Sequence, residues 1–438
     1  MDGKNRRHPR RRRLRPGFVL NAVCLGIILI CLIIGGIQSA AAPRGAAPAP
    51  ETETPASLLV RTGGVVRRAE AELAAREAAT YDFTLAFMGD LGLTEEWVPM
   101  QYLATQENGI EDCISADLLE QMRSADLFCL NNEFAFTTRG EPLAGKRWII
   151  TSDPKNVSIL QTMGVDLVTL ANNHVYDHGA EGLTDTLATL DGAGIAHVGA
   201  GENLADASAP LYMEVQGKTI GFVNACNAEE TRYTPEATED SSGVLLCYES
   251  DKFVAAVKEA KENADFVIAL VHWGTDYVYE TSEDQRTLGH ELIDAGADAV
   301  IGAHAHSIQG IEYYNGVPIF YGLGTCWFNS KTLSTYMLQL HFVGDGKNTS
   351  IIFTVLPGEQ ANCVTRLSGT EAEAQSVLDL ILEYSNGITF EQDTGSSLNA
   401  YILHEGEASA AEEPAAGDED TAPPDDTAQP DDPVEAQG

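Results

Sequence analysis

Basic residues are scarce in this chain of 438 residues. It holds 27 Lys and Arg against 65 Asp and Glu, which gives a formal net charge of −38 at pH 7. So acidic a protein lacks the basic surface that nucleic-acid phosphates need, and we expect no nucleic-acid partner. The basic residues that do occur are uneven, because eight of them lie within the first fifteen residues. Those eight stand directly before an apolar run.

Several motifs of common enzyme classes are also missing. No GxSxG nucleophile turn, phosphate-binding P-loop or dinucleotide fingerprint occurs in the context that it would require. The eight cysteines show no CxxC or other metal-type spacing, and two of them, Cys24 and Cys31, lie in the apolar run. The other six could form disulfides outside the cytoplasm, but most lie in apolar strand-like runs that equally favour buried free thiols. The sequence cannot pair them.

The apolar run covers residues 18–37 and contains no charged residue. About 20 apolar residues in a helix can cross a bilayer. The basic residues 1–17 should then stay in the cytoplasm and the rest of the chain should lie outside. A cleaved signal peptide is the alternative, since residues 39–42 are small, but the run is longer than a usual signal core. We therefore expect a single-pass cell-membrane protein with an extracellular main domain.

The remaining chain divides by composition into four parts. Residues 38–80 are rich in Ala and Pro and predict an extended stalk. Residues 81–366 alternate short apolar runs with amphipathic stretches and predict the main domain. Residues 367–404 predict a C-terminal helical extension. Residues 405–438 hold twelve acidic and no basic residues and predict a disordered tail.

The main domain has the pattern of an α/β fold. Its apolar runs are continuous, as in strands buried on both faces, and amphipathic helix-like stretches separate them. This alternation predicts βαβ units around a largely parallel sheet. The pair Asn315-Gly316 predicts a hairpin, and residues 335–356 predict a further strand pair, so an antiparallel portion should join the sheet. The runs predicted as strands are 84–89, 126–130, 166–171, 265–271 and 298–303.

Residues suited to metal binding follow each of these five runs. The carboxyl ends of parallel strands meet at one edge of a sheet, so these side chains should converge there. Two histidines at positions i and i+2 of an extended chain point to the same side and can face one ion. Nitrogen and oxygen ligands without thiolates suit Mn, Zn or Fe, as one or two divalent ions. The predicted metal ligands are Asp90, Glu133, Asn173, His272, His304 and His306.

Two further residues have the spacing of a catalytic pair. His174 adjoins Asn173 and could act as a general acid, with Asp177 three residues later orienting its ring. Asp177 could equally cap the helix that follows, and the two roles are compatible.

Two other groups of side chains are open to more than one interpretation. Residues 146–148 could contact an anionic substrate, although a solvated loop is the favoured interpretation. Trp273, Tyr277 and Tyr279 could line a cleft or simply pack.

The order of the motifs resembles the CapA family of capsule and poly-γ-glutamate synthesis proteins. The matching motifs are GD (89–90), NNE (131–133), ANNHVYDHG (171–179), HWG (272–274), GAHAH (302–306) and FYGLG (320–324). The resemblance spans about residues 82–330. It implies a calcineurin-like metallophosphatase fold, in which a sheet sandwich is flanked by helices. It also implies a metal site formed by the six ligands above, with His174 as the catalytic histidine.

Three positions depart from the patterns of these families. Broader metallophosphatases begin with Asp-x-His, where this chain has Asp90 followed by Leu91 and Gly92, a gap that the CapA family shares. Asp276 stands where the family often has Glu, and Thr325 where it often has Asn.

The function that the resemblance implies is work on an envelope polymer outside the cell. The chain would act at the membrane in capsule, poly-γ-glutamate or other polymer synthesis or export, where a membrane synthase complex could be its partner. It would be either a metal-dependent hydrolase of a phosphoester or polymer, or a non-catalytic accessory that binds an anionic polymer.

Overall fold

The computed structural model describes residues 80–229, 231–345 and 348–407. The predicted membrane anchor, nearly all of the predicted stalk and the acidic tail beyond residue 407 lie outside these ranges. Among the residues described, no helix combines the length and the apolar character needed to cross a membrane.

Several helices in the described ranges begin or end at residues with clear capping signals. Gly164 and Gly194 end two of them in the left-handed conformation, and Ser282 and Thr370 start two others with capping boxes. These helices are α1 (Val98–Leu103), α2 (Ala116–Ser124), α3 (Val157–Met163), α4 (Gly179–Ala193), α5 (Leu204–Ser208), α6 (Asp251–Asn263), α7 (Glu283–Asp294) and α8 (Glu371–Glu383). Two 3₁₀ turns occupy Gly109–Asp112 and Pro154–Asn156.

The strands of the described ranges fall into two large and two small sheets. In chain order they are β1 (Thr80–Leu91), β2 (Leu127–Asn132), β3 (Ala135–Phe136), β4 (Thr151–Ser152), β5 (Leu167–Thr169), β6 (Ala196–Val198), β7 (Ala200–Gly201), β8 (Leu211–Val215), β9 (Lys218–Cys226), β10 (Gly243–Val244), β11 (Phe266–Trp273), β12 (Ala299–His304), β13 (Ile311–Tyr314), β14 (Val317–Phe320), β15 (Thr325–Trp327), β16 (Leu333–Asp345), β17 (Thr349–Ala361), β18 (Val364–Leu367), β19 (Ile388–Gln392) and β20 (Tyr401–Glu405).

The first large sheet has the order β19-β20-β17-β16-β1-β2-β5-β6, with β15 and β18 paired at its side. Strands β1, β2, β5 and β6 are parallel, and the half from β16 to β19 is antiparallel. The second large sheet has the order β13-β14-β12-β11-β9-β8, with parallel pairing from β9 to β14. Strand pairs β7–β10 and β3–β4 form the small sheets.

Three apolar cores show how the layers stack. One core joins side chains of both large sheets, such as Phe83 and Phe222, so the two sheets pack face to face. A second core covers the other face of the first sheet with α2, α3 and α4, and a third covers the second sheet with α6 and α7. The fold is therefore a mixed α/β sandwich with helices outside both sheets.

The prediction that the candidate ligands converge at the edge of a single sheet is wrong. The five runs predicted as strands are all strands, but they do not share one sheet edge. Strands β1, β2 and β5 belong to the first sheet, and β11 and β12 belong to the second. The candidate ligands can still meet because the two sheets pack together.

The extension predicted as helical is only partly helical. Strands β19 and β20 follow α8, and Tyr401 of β20 pairs with Val355 of β17, so the extension enlarges the first sheet. The hairpin at Asn315-Gly316 and the strand pair β16–β17 are confirmed. All six cysteines of the described ranges are buried, the second of the two alternatives that the sequence left open.

Candidate metal centre

Asp90 reaches the centre from the end of β1, where two backbones pass very close together. Its backbone N–H donates to the carbonyl oxygen of Gly324 over 3.2 Å. A Cβ atom on the preceding residue, Gly89, would lie 1.7 Å from the same oxygen. Only glycine therefore fits at position 89, and this close approach sets the place of Asp90.

The carboxylate of Asp90 is fully buried and engaged on both oxygens. Asn131 Nδ2 donates to Oδ1 over 2.8 Å, and His306 Nδ1 lies 3.0 Å from Oδ2. The backbone N–H of His304 lies 3.3 Å from each oxygen. These contacts tie the end of β1 in one sheet to the end of β12 in the other.

Glu133 carries a buried oxygen that no hydrogen bond of the described residues satisfies. Its Oε2 accepts from Asn131 Nδ2 over 3.1 Å, while its Oε1 has no hydrogen-bond partner. The ring nitrogens nearest to Oε1 are His306 Nε2 at 3.7 Å and His272 Nε2 at 3.9 Å. These distances are too long for hydrogen bonds, so Oε1 is available to a cation on the side of either ring.

Two groups of ligand atoms therefore meet at Glu133. One comprises Glu133, His272 and His304, and the other Asp90, Glu133 and His306. Within each group the ligand atoms lie within 4.8 Å of one another. All five residues are buried, and three imidazoles with two carboxylates form a donor set that suits a divalent transition metal. The residues therefore fit one or two such ions.

Asn173 is the sixth predicted ligand, and it lies in the same place. Its Oδ1 lies 2.9 Å from His272 Nε2. The neighbouring Asn172 is structural, since its amide donates to Asn131 Oδ1 and to the carbonyl of Asn132. The structure thus brings all six predicted ligand residues together.

His304 and His306 converge for a different reason from the one expected. They do not lie in extended backbone, because φ is +96° at His304 and +51° at His306. Positive φ is unfavourable for residues with a Cβ, and such outliers concentrate at functional sites. The turn directs the two rings to different groups, with their centroids 6.2 Å apart.

Burial and mutual charge shift the pKa values of the centre in opposite directions. Burial and the charge of Asp90 raise the pKa of Glu133 well above its usual range. Burial lowers the pKa of His272 and of His304. Burial also opposes the charges of Asp90 and His306, but their contact prevails, lowering the pKa of Asp90 and raising that of His306. The metal-free centre thus holds protons that a cation would displace.

The predicted acid pair His174 and Asp177 is present beside the centre. Nδ1 of His174 lies 2.8 Å from Oδ2 of Asp177. Since a carboxylate only accepts, Nδ1 donates, and Nε2 is the nitrogen that Asp177 leaves unengaged. Asn173, which directly precedes His174, contacts His272, so the pair lies beside the centre. Asp177 makes no cap for α4, whose first residue follows His178, so the capping interpretation is wrong.

The prediction that residues 146–148 form a solvated loop is wrong for Lys146. Lys146 is buried, and its ammonium forms ion pairs of 2.7 Å with Asp177 and with Glu229. A lysine in a hydrophilic stretch gives no sequence signal for such burial.

The three aromatic side chains that follow His272 differ in role. Trp273 is buried and donates to the carbonyl of Tyr321, and Tyr279 stacks on Tyr384, so both pack. Tyr277 lies beside His306, with ring centroids 5.7 Å apart.

Two residues join the centre without having been singled out as ligands. Asn131 donates to both Asp90 and Glu133, and it occupies the first position of the NNE motif. Asp276 Oδ1 lies 3.5 Å from His304 Nε2. The NNE motif could have pointed to Asn131, whereas the contact of Asp276 depends on the turn after β11.

The family model for the bacterial capsule synthesis protein PGA_cap matches residues 84–330. This chain belongs to that family. The matched range contains every candidate ligand together with His174 and Asp177. The resemblance to the CapA family, inferred from the motifs, is confirmed.

Curated relatives match about half of the chain. The PGA biosynthesis protein CapA of Bacillus subtilis is 33% identical over 207 residues, covering 46% of this chain and 54% of the relative. The capsule biosynthesis protein CapA of Bacillus anthracis is 33% identical over 223 residues, covering 49% and 52%. The chain thus spans about half the length of the curated relatives that it matches.

Solved structures match at lower similarity. The NAD nucleotidase of Haemophilus influenzae has a TM-score of 0.39 at 15% identity, covering 69% of this chain and 56% of that one. The 5'-nucleotidase of Candida albicans has a TM-score of 0.35 at 10% identity, covering 68% and 57%. Similarity this low implies nothing about what the present family member does.

Proposed function

We propose that this protein is a metal-dependent phosphoesterase of envelope-polymer synthesis. The observation that carries the proposal is the pair of ligand groups that share Glu133, with the His174–Asp177 pair beside them. Glu133, His272 and His304 would hold one divalent ion, Mn, Zn or Fe, and Asp90 and His306 would complete a second position. A bound ion of this kind acts as a Lewis acid on a phosphoryl oxygen.

The chain's own residues prepare the centre for a cation, and the cation in turn would attract an anionic group. Asn131 fixes the carboxylates of Asp90 and Glu133, so neither has to move when a cation enters. The protein is strongly acidic, with a net charge of −38. Positive charge bound at the centre is therefore what would attract a phosphoester or an acidic polymer to this part of the surface.

His174 would serve as the general acid. Asp177 accepts a hydrogen bond from the Nδ1–H of His174 and thereby fixes the tautomer and the ring orientation. The protonated Nε2 of His174 would then give its proton to the leaving oxygen of the substrate.

The family and the curated relatives support a role in capsule or poly-γ-glutamate synthesis. We extend the proposal to place the main domain outside the cell membrane, anchored by residues 18–37, where it would meet the growing polymer or a membrane synthase. The support is the basic segment before the apolar run, which the positive-inside rule retains in the cytoplasm.

A non-catalytic role as a polymer-binding accessory is the second candidate, and one observation favours it. Position 92 is glycine where broader metallophosphatases carry a histidine ligand. A Cβ atom there would lie 2.9 Å from the ring of Phe328, so the fold leaves little room for a side chain. The centre thus has one imidazole fewer than the broader pattern.

Metal content and hydrolysis of a generic aryl phosphate separate the two candidates. We expect the full chain, loaded with Mn or Zn, to turn over, and His174→Ala to lower kcat by about 100-fold or more while retaining its metal. We expect Asp90→Ala and His304→Ala to lower the metal content in elemental analysis. His341→Ala is the matched control, since His341 pairs with Asp82 at the surface. Bound metal without turnover, unchanged by His174→Ala, would favour the accessory role.

A further inference from the structure

We propose that Lys146 is a positioning residue that keeps the His174–Asp177 pair and Asn173 in working geometry. The proposal deepens the proposed function and rests on it for its catalytic part. Its structural part, the control of one hydrogen bond by a buried cation, is measurable without any activity.

The ammonium of Lys146 joins three groups that otherwise belong to separate segments. It forms ion pairs of 2.7 Å with Asp177 Oδ1 and with Glu229 Oε2, and it donates to the carbonyl oxygen of Asn173. Thr234 repeats two of these contacts, at 3.3 Å from the Asn173 carbonyl and 3.2 Å from Glu229 Oε2. The backbone of a candidate ligand and the carboxylate that orients the acid thus share one cation.

The loop that carries Lys146 is wrapped around Asp177. Leu143 donates its backbone N–H to the backbone carbonyl of Asp177 over 2.9 Å. Ile150 donates its backbone N–H to the carboxylate Oδ2 over 2.6 Å, the same oxygen that His174 Nδ1 meets. Oδ2 of Asp177 therefore accepts hydrogen bonds from the ring of His174 and the backbone of Ile150, while Oδ1 forms the ion pair with Lys146.

Charge balance explains why this position needs a cation. The side chain of Asp177 is completely buried, whereas that of Glu229 retains 21% exposure. A buried carboxylate without a counter-charge is costly, and Asp177 has no route to solvent. The ammonium of Lys146, 2.7 Å from a carboxylate oxygen of each residue, supplies that counter-charge.

Lys218 is a buried lysine outside the centre and serves as the comparison for Lys146. It is also buried, and it lies 3.4 Å from Asp265 and 4.9 Å from the ring centroid of Tyr81. It begins β9 in the hairpin with β8 and makes no contact with the centre in the described structure. Lys218→Met therefore controls for the general cost of removing a buried, paired ammonium.

The first test is spectroscopic and uses the full chain with and without Zn. A ring proton held between His174 Nδ1 and Asp177 gives a low-field proton signal, which His174→Gln assigns by its loss. We expect Lys146→Met to abolish the signal or move it upfield, Lys146→Arg to retain it, and Lys218→Met to leave it unchanged. A signal that is absent from the wild type, or unchanged in Lys146→Met, would overturn the inference.

The second test is kinetic and applies at saturating metal. We expect Lys146→Met to lower kcat for an aryl phosphate by about 10- to 100-fold, with KM within about twofold because Lys146 does not meet the substrate. Lys146→Arg should recover most of the loss. Equal losses in Lys146→Met and Lys218→Met would overturn the positioning role.

The two tests also separate this inference from the proposed function. If the wild type binds metal and does not hydrolyse, the proposed function fails, while the low-field signal still decides the role of Lys146. If Lys146→Met does not fold, Lys146→Gln replaces it, and an unchanged signal in that variant would equally overturn the inference.

Discussion

Glu133 carries a buried carboxylate oxygen without a hydrogen-bond partner in the described structure, and a bound cation would satisfy it. Glu133→Gln keeps the shape of the side chain and removes its charge. We expect metal affinity to fall by more than the roughly 10- to 100-fold that follows loss of an outer partner of a ligand. Calorimetric titration with Mn measures the change, and Glu120→Gln on the exposed face of α2 is the control. Unchanged affinity in Glu133→Gln would show that the metal does not use this carboxylate.

The pKa shifts at the same residues predict how metal stabilisation depends on pH. The pKa of Glu133 is raised well above 4.5, so the metal-free fold keeps a proton that the unfolded chain releases, and its stability falls as pH rises through that window. His272 and His304 have lowered pKa values and act oppositely, but only below about their usual 6.5. Bound metal displaces the proton of Glu133, so the rise in Tm caused by Zn should be larger at pH 8 than at pH 6. An equal or smaller rise at pH 8 would contradict the assignment.

At the scale of elements, the close approach between the end of β1 and Gly324 determines where Asp90 lies. Gly89→Ala would place a Cβ atom 1.7 Å from the Gly324 oxygen, so the strand end must shift. We expect lower metal content and a loss of stability of about 3 kcal/mol, the upper end of the usual cost of steric overpacking in a core. Gly192→Ala in α4 is the control, since nothing lies within 4 Å of its added Cβ, and it should stabilise the fold slightly. Thermal unfolding and elemental analysis of both variants provide the comparison.

Local patterns predicted the central strands and two pairs of neighbouring strands, but not how distant strands pair. Continuous apolar runs identified β1, β2, β5, β11 and β12, since strands buried on both faces need apolar side chains at every position. The division of these strands between two sheets depends on pairings such as Phe83 with Phe342, which are far apart in the chain. No local pattern encodes such a pairing.

The candidate ligands were predictable because each follows an apolar run that predicts a strand, whereas their geometry was not. The positive φ of His304 and the burial of Lys146 arise from contacts between distant segments. Sequence patterns therefore indicated which residues meet at the centre, and the structure was needed to show that they form two groups around Glu133.

At the scale of the whole molecule, the proposed anchor predicts opposite fates for the two ends of the chain. A tag at the C-terminus should be digested when protease is added to intact spheroplasts, and a tag at the N-terminus should be protected by the membrane. Detergent lysis should expose both tags. Protection of the C-terminal tag in intact spheroplasts would contradict the external position of the main domain.

Glu133 belongs to both groups of candidate metal ligands. Crystals of the full-domain protein grown with Mn, measured at a wavelength where Mn scatters anomalously, test this role most directly. We expect an anomalous peak about 2.0–2.2 Å from the Glu133 carboxylate. His272 and His304, or Asp90 and His306, should complete the coordination. An ordered centre without a peak at saturating Mn, or a peak bound only by other residues, would contradict it.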